Sequence, residues 1–168
     1  MCWLGKLLGN ALVLTYPEEP PDYTKTLDNT DIDTALTDWM INYFVPTEYW
    51  WWWGGAIVIS LTNNISYPAA TYDGADGKRH LDVRPEYLNA GVIAHEQAHN
   101  SYSLMTDTQK VSFNSIYTPL KYSDPLIKLL YSKNTYGLTS DIEGHAEIYR
   151  YLGGKIPSAL KTFYPKLF

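Results

Sequence analysis

The period of the hydrophobic positions changes twice along the chain. From Thr30 onward, Ile32, Leu36, Trp39 and Tyr43 recur every three or four residues, which lays one apolar stripe along a helix. Thr30 stands where a cap would accept the first free amides, and Pro46 stops the pattern. Residues 56–61, AIVISL, are instead a short β-branched run, the mark of a buried strand. The following NNISYPAATYDGADGKRHLDVRP reads as a turn, a strand over Ala69–Tyr72, a Gly/Asp-rich turn and a second strand over Arg79–Val83. From Pro85 the spacing is helical again and predicts helices over Glu86 to about Met105, Asp107–Tyr117, Pro125–Ser132, Ser140–Leu152 and Pro157–Tyr164. This order predicts an α+β fold in which a small mixed sheet of three or four strands packs on one helix, followed by a helical C-terminal half.

Length and charge narrow the picture. At 168 residues and 45% hydrophobic, the chain has enough apolar content for one domain, 1–168, with its own core. Thirteen Lys and Arg against eighteen Asp and Glu give a net charge of −5, and no stretch gathers the positive charges. That argues against a nucleic-acid partner. Cys2 is the only cysteine, so an internal disulfide and a thiolate metal site are both excluded, and any metal must be held by His, Asp or Glu. The apolar run Leu7–Leu14 follows one lysine but has no small-x-small cleavage site and is far too short to span a bilayer. It predicts a packed N-terminal arm, joined through the stiff Pro17–Pro21 stretch, so that residues 1–22 form arm and connector.

The candidate chemistry lies in AGVIAHEQAH, residues 90–99. On a helix His95 and His99 project from one face a turn apart, so both imidazoles reach one Zn²⁺, while Glu96 sits about 100° round and faces a water rather than the metal. Val92, Ile93, Ala94, Gln97 and Ala98 carry no charge, so this turn can be buried. The competing reading is two partly buried histidines bonded to backbone. A zinc site needs a third ligand, and TYGLTSDIEGHAEIYRYL, residues 135–152, offers candidates. Glu143 and Glu147 lie one turn apart on one face, with His145 roughly opposite. Their neighbours Ile142, Ala146, Ile148, Tyr149 and Tyr151 predict a buried helix, where acids need partners. One Glu would ligate zinc and the next would accept the other ring N–H of a ligating histidine. His145 is the alternative third ligand.

HEQAH, the separate helix with EGHAEIYR, and a tyrosine seven residues before its first glutamate resemble the gluzincin metallopeptidases, in the arrangement of the anthrax lethal factor catalytic domain and the secreted Pro-Pro endopeptidases. The resemblance runs in layout from about Ile57 to Leu152. It implies a zincin-like fold and a zinc-dependent endopeptidase, with His95, His99 and Glu143 as zinc ligands, Glu96 as general base, Tyr136 as oxyanion donor and Glu147 behind the ligands. It also implies a peptide or protein substrate and a lean toward an extracellular setting. In the Pro-Pro enzymes an acid directly precedes the ligating Glu, whereas here that position is Ile142, so proline specificity is not carried over. A substrate strand would pair with a sheet edge, for which Ala69–Asp73 is the candidate.

YWWWWGG, Tyr49–Gly55, is the other conspicuous stretch. If extended, the four tryptophans point two to each face, one pair entering the core; the alternative is that Trp50–Trp53 form an aromatic surface for a substrate or protein partner. His80 reads as a strand histidine rather than a ligand, and Asp73, Asp76 and Gly77 as turn chemistry rather than a calcium site. Two other readings stand beside the peptidase: a catalytically inert zincin-fold module that binds or assembles through its aromatic surface, and a metal-free helical domain.

Overall fold

A computed structural model describes residues 29–50, 53 and 57–168. The predicted arm and connector, 1–22, and residues 51, 52 and 54–56 lie outside the described residues. The fold is α+β, with helices α1 (Asn29–Asn42), α2 (Ala90–Ser103), α3 (Asp107–Ser123), α4 (Pro125–Lys133), α5 (Asp141–Leu152) and α6 (Ser158–Lys161). Three strands, β1 (Ile57–Leu61), β2 (Ala69–Asp73) and β3 (Arg79–Val83), form one sheet in the order β1-β3-β2. The sheet is mixed, since β3 runs parallel to β1 and antiparallel to β2. Among the described residues β2 is therefore an edge, as the topology suggested, and it packs against α2.

Helix α2 is central. It packs against α5 on one side and α1 on another, and Val92, Ile93, Ala94 and Ala98 are buried in the common core with Leu36, Trp39, Ile148 and Leu152. It starts later than predicted, because Pro85–Tyr87 forms only a 3-10 turn and Leu88 is extended. Asn89 then caps the helix, its Oδ1 accepting from the backbone N–H of Gly91 and Val92 at 2.9 and 3.0 Å. Thr30 lies inside α1, which already includes Asn29, rather than ahead of it as a cap.

Two other boundaries move as well. Helix α3 runs past Tyr117 and through Pro119 to Ser123, losing one backbone bond but keeping Lys121 within 3.3 Å of Asp141 on α5. Asp124 then closes α3 with its backbone N–H and caps α4 with its side chain, ahead of Pro125 at the first helical position. Helix α6 covers only Ser158–Lys161, because the chain beyond it continues as i→i+3 turns, Tyr164 to Lys161 and Leu167 to Tyr164.

The tryptophan run is not extended where it is described, for Trp50 has helical dihedrals. Trp53 is fully buried, edge-on to Trp39 at 5.4 Å, with its indole N–H donated to the Lys166 carbonyl. Trp50 is half-buried and donates to the Val45 carbonyl at 2.8 Å. Both described members of the run thus serve packing. Among the described residues no helix is long and apolar enough to cross a membrane.

Candidate metal centre

The two turns of α2 that carry His95 and His99 face the first two turns of α5. Ser140 sets the start of α5, its Oγ accepting from the Glu143 backbone N–H at 3.2 Å. Glu143 follows on the face toward α2. There His95 Nε2 and His99 Nε2 are 3.0 Å apart, and Glu143 Oε2 lies 3.3 Å from the first and 3.5 Å from the second. Three donor atoms on two helices thus make a nearly equilateral triangle. In a tetrahedral zinc site with bonds of about 2.0–2.1 Å, neighbouring ligand atoms stand about 3.3–3.4 Å apart, so the triangle has the size of one tetrahedral face. Glu143 Oε2 is also buried, faced by the two imidazoles but without an aligned hydrogen bond, and a buried carboxylate needs a cationic partner. The donor set therefore fits a zinc ion.

One turn along α5, Glu147 stands behind His95. Its Oε1 is 2.7 Å from His95 Nδ1, and its side chain is 1% exposed. This ion pair, close but not aligned as a hydrogen bond, leaves Nε2 facing the triangle, the position of a carboxylate behind a metal-ligating histidine. Arg150 Nη1 lies 3.4 Å from the same oxygen, and Asn134 Nδ2 donates to the other, Oε2. The electrostatics follow. Burial pulls the His95 imidazole down, but the contacts with Glu143 and Glu147 outweigh it and hold its pKa up at about 9. Burial likewise opposes ionisation of Glu143, yet the two imidazoles hold it well below the usual carboxylate range.

Glu96 is buried and points toward the sheet, where its Oε2 accepts a 2.7 Å hydrogen bond from Thr71 Oγ1 on β2. Tyr136 opens a 3-10 turn, Tyr136–Leu138, between α4 and α5. Its ring centroid is 6.1 Å from that of His95, tilted by 32°, and the residue is 49% exposed. Partial burial and the Glu143 carboxylate raise its phenol above the ordinary value, so it stays a hydrogen-bond donor. All six residues singled out from the sequence, His95, Glu96, His99, Tyr136, Glu143 and Glu147, are thus gathered in one region.

His145 is placed elsewhere. It is fully buried on the opposite face of α5, stacked on Tyr164 at 3.8 Å, and its Nε2–H donates to the Phe163 carbonyl at 2.8 Å. Two hydrophobic rings, Tyr102 and Phe113, meet it edge-on. Burial drives its pKa down to about 3, which makes it a neutral core histidine. His80, on β3, contacts Asp76 at 3.0 Å and stacks on Tyr72. The Asp/Gly turn is held by its own backbone, with Gly77 at a φ of 75° and the Lys78 N–H donated to Asp76 Oδ1.

Sequence reasoning missed Thr71 and Asn134. Thr71 carried no signal beyond lying in the predicted edge strand, because strand register decides which side chain meets α2. Asn134 did carry one, since an Asn two residues before Tyr136 is a turn-capping position. Compared with known proteins, the chain matches no family model, no curated protein and no solved structure.

Proposed function

We propose that this chain is a zinc-dependent metallopeptidase of the gluzincin kind, with a zincin-like fold and with His95, His99 and Glu143 holding the metal. The observation that carries the reading is the triangle of His95 Nε2, His99 Nε2 and Glu143 Oε2, with sides of 3.0, 3.3 and 3.5 Å. Glu96, adjacent to a ligand yet outside the triangle and hydrogen-bonded to Thr71, supports hydrolysis over a purely structural metal.

Zinc held by His95, His99 and Glu143 would supply a Lewis acid that lowers the pKa of a water toward about 7. Glu96 takes the proton of the attacking water and passes it to the leaving amine. Tyr136 donates its hydroxyl to the peptide carbonyl oxygen as that oxygen gains negative charge. Among the described residues β2 is an outer strand of the sheet beside Glu96, and its edge would offer backbone groups to an extended peptide.

Elemental mass spectrometry on protein purified without added metal tests the centre, with Glu143→Ala and Glu96→Gln measured beside it. Near-stoichiometric zinc in the parent and in Glu96→Gln, and its loss in Glu143→Ala, is the expected result. Cleavage of a peptide library by the parent, absent with Glu96→Gln, completes it. A parent that takes up no zinc even after incubation with the ion overturns the reading. Bound zinc with no cleavage of any peptide favours a binding module on the same scaffold.

A further inference from the structure

Glu147 poses a problem that the metal alone does not solve. Its carboxylate is almost wholly enclosed, at 1% exposure, and one oxygen, Oε1, lies 2.7 Å from His95 Nδ1 and 3.4 Å from Arg150 Nη1. A buried carboxylate with an idle oxygen is unfavourable and free to rotate off its partner. The idle oxygen, Oε2, is taken by the side-chain amide of Asn134. Asn134 itself is fixed, since its backbone N–H closes α4 on the Leu130 carbonyl at 2.9 Å.

The same amide has a second commitment. Asn134 Oδ1 accepts from the Tyr136 backbone N–H at 2.9 Å. The turn that follows is pressed onto Glu147, for a Cβ added at Gly137 would come within 3.1 Å of Glu147 Cβ. One planar side chain therefore ties the carboxylate behind the metal ligand to the turn that presents Tyr136.

We propose that Asn134 is a positioning residue of the metal centre, acting through Glu147 to hold His95 in its ligating orientation. The proposal rests on the metallopeptidase reading and assigns Asn134 no contact with substrate. A residue that merely caps the Tyr136 turn makes a different prediction: aspartate caps such turns as well as asparagine, so Asn134→Asp would be neutral. Positioning through Glu147 requires the amide donor, and Asn134→Asp sets a second acceptor against the Glu147 carboxylate.

The test is zinc affinity of the full chain, measured by competition with a chromophoric chelator, with thermal melting of the metal-free proteins as the check on folding. Asn134→Ala is expected to weaken zinc binding about 10–100-fold, the usual effect of removing such a partner, and Asn134→Asp to weaken it further. In a Glu147→Ala background the Asn134→Ala loss should vanish, because the path runs through that carboxylate. Asn134→Asp binding zinc like the parent overturns the proposal, as does an Asn134→Ala loss that persists in full without Glu147. Those results leave the zinc centre standing. A parent that binds no zinc removes both.

Discussion

Thr71 Oγ1 donates a 2.7 Å hydrogen bond to Glu96 Oε2, so the edge strand of the sheet holds the carboxylate proposed as general base. Hydrogen bonds to charged groups are worth about 1.5–3 kcal/mol, and among the described residues the Glu96 side chain, buried on α2, makes no other hydrogen bond or ion pair. Thr71→Val keeps the β-branched shape and removes the donor. It is expected to lower kcat about tenfold, by the lower end of that range, with zinc content unchanged, whereas Thr71→Ser keeps most of the rate. Equal rates for Thr71→Val and the parent would show that Glu96 needs no such support.

Zinc uptake should expel a proton. In the metal-free protein the His95 pKa is raised from 6.5 to about 9: burial lowers it, but Glu143 and Glu147 outweigh burial. A raised folded-state pKa contributes stability that is fully present below pH 6.5 and lost as pH rises through 9. A ligating imidazole must be neutral, so zinc competes with that proton throughout this window. Apparent zinc affinity is therefore expected to rise by about tenfold per pH unit toward pH 9 from this proton alone. Calorimetry in buffers of different ionisation enthalpy checks it, with about one proton released near pH 7.5. Zinc binding that releases no proton there contradicts the His95 electrostatics.

Helix α2 and helix α5 were legible in the sequence because their chemistry is spaced by the helical repeat, which is local. The four-residue spacing of His95 and His99 and of Glu143 and Glu147 puts each pair on one face whatever the rest of the fold does. The strands β1, β2 and β3 were legible from β-branched runs and turn residues, and β3 within its predicted bounds. What brings Glu143 to His95 is the packing of α2 on α5, which no local pattern encodes. Thr71 escaped for the same reason, since a single-residue shift of β2 would turn it to the other face. The start of α2 was misplaced because Pro85 and Glu86 are good first-turn residues, and only the extended Leu88 and the Asn89 side chain separate that turn from the helix.

Gly144, between Glu143 and His145, is expected to resist substitution. In a free helix Gly→Ala is stabilising by up to about 1 kcal/mol. Here a Cβ would collide with the ring and hydroxyl of Tyr117, which is fully buried and shares a hydrogen bond with Tyr131 while donating to the Gly137 carbonyl at 3.2 Å. Overpacking of this kind costs about 1–3 kcal/mol, more than the propensity gain. Gly144→Ala should therefore lower stability in urea denaturation. Pairing it with Tyr117→Leu, which vacates the space, should give less than the sum of the two losses. A more stable Gly144→Ala protein would mean that the Tyr117 ring moves aside freely.

Acid sensitivity should trace to His145. Its pKa in the folded protein is lowered by burial from 6.5 to about 3, so below pH 6.5 the unfolded chain takes up a proton that the folded chain refuses. The stability it contributes is present above pH 6.5 and lost as pH falls toward 3. Between pH 6.5 and 5 the competing groups are quiet: the His95 contribution is already complete below 6.5, and Glu143, held low, loses its own only as pH falls below about 4.5. Melting temperature of the metal-free protein should therefore fall across that interval. His145→Phe keeps an aromatic ring against Tyr164 but leaves the Phe163 carbonyl without its donor, so its melting temperature at pH 7.5 should be lower and its slope between pH 6.5 and 5 flatter. Parallel slopes for the two proteins would assign the acid loss to another group.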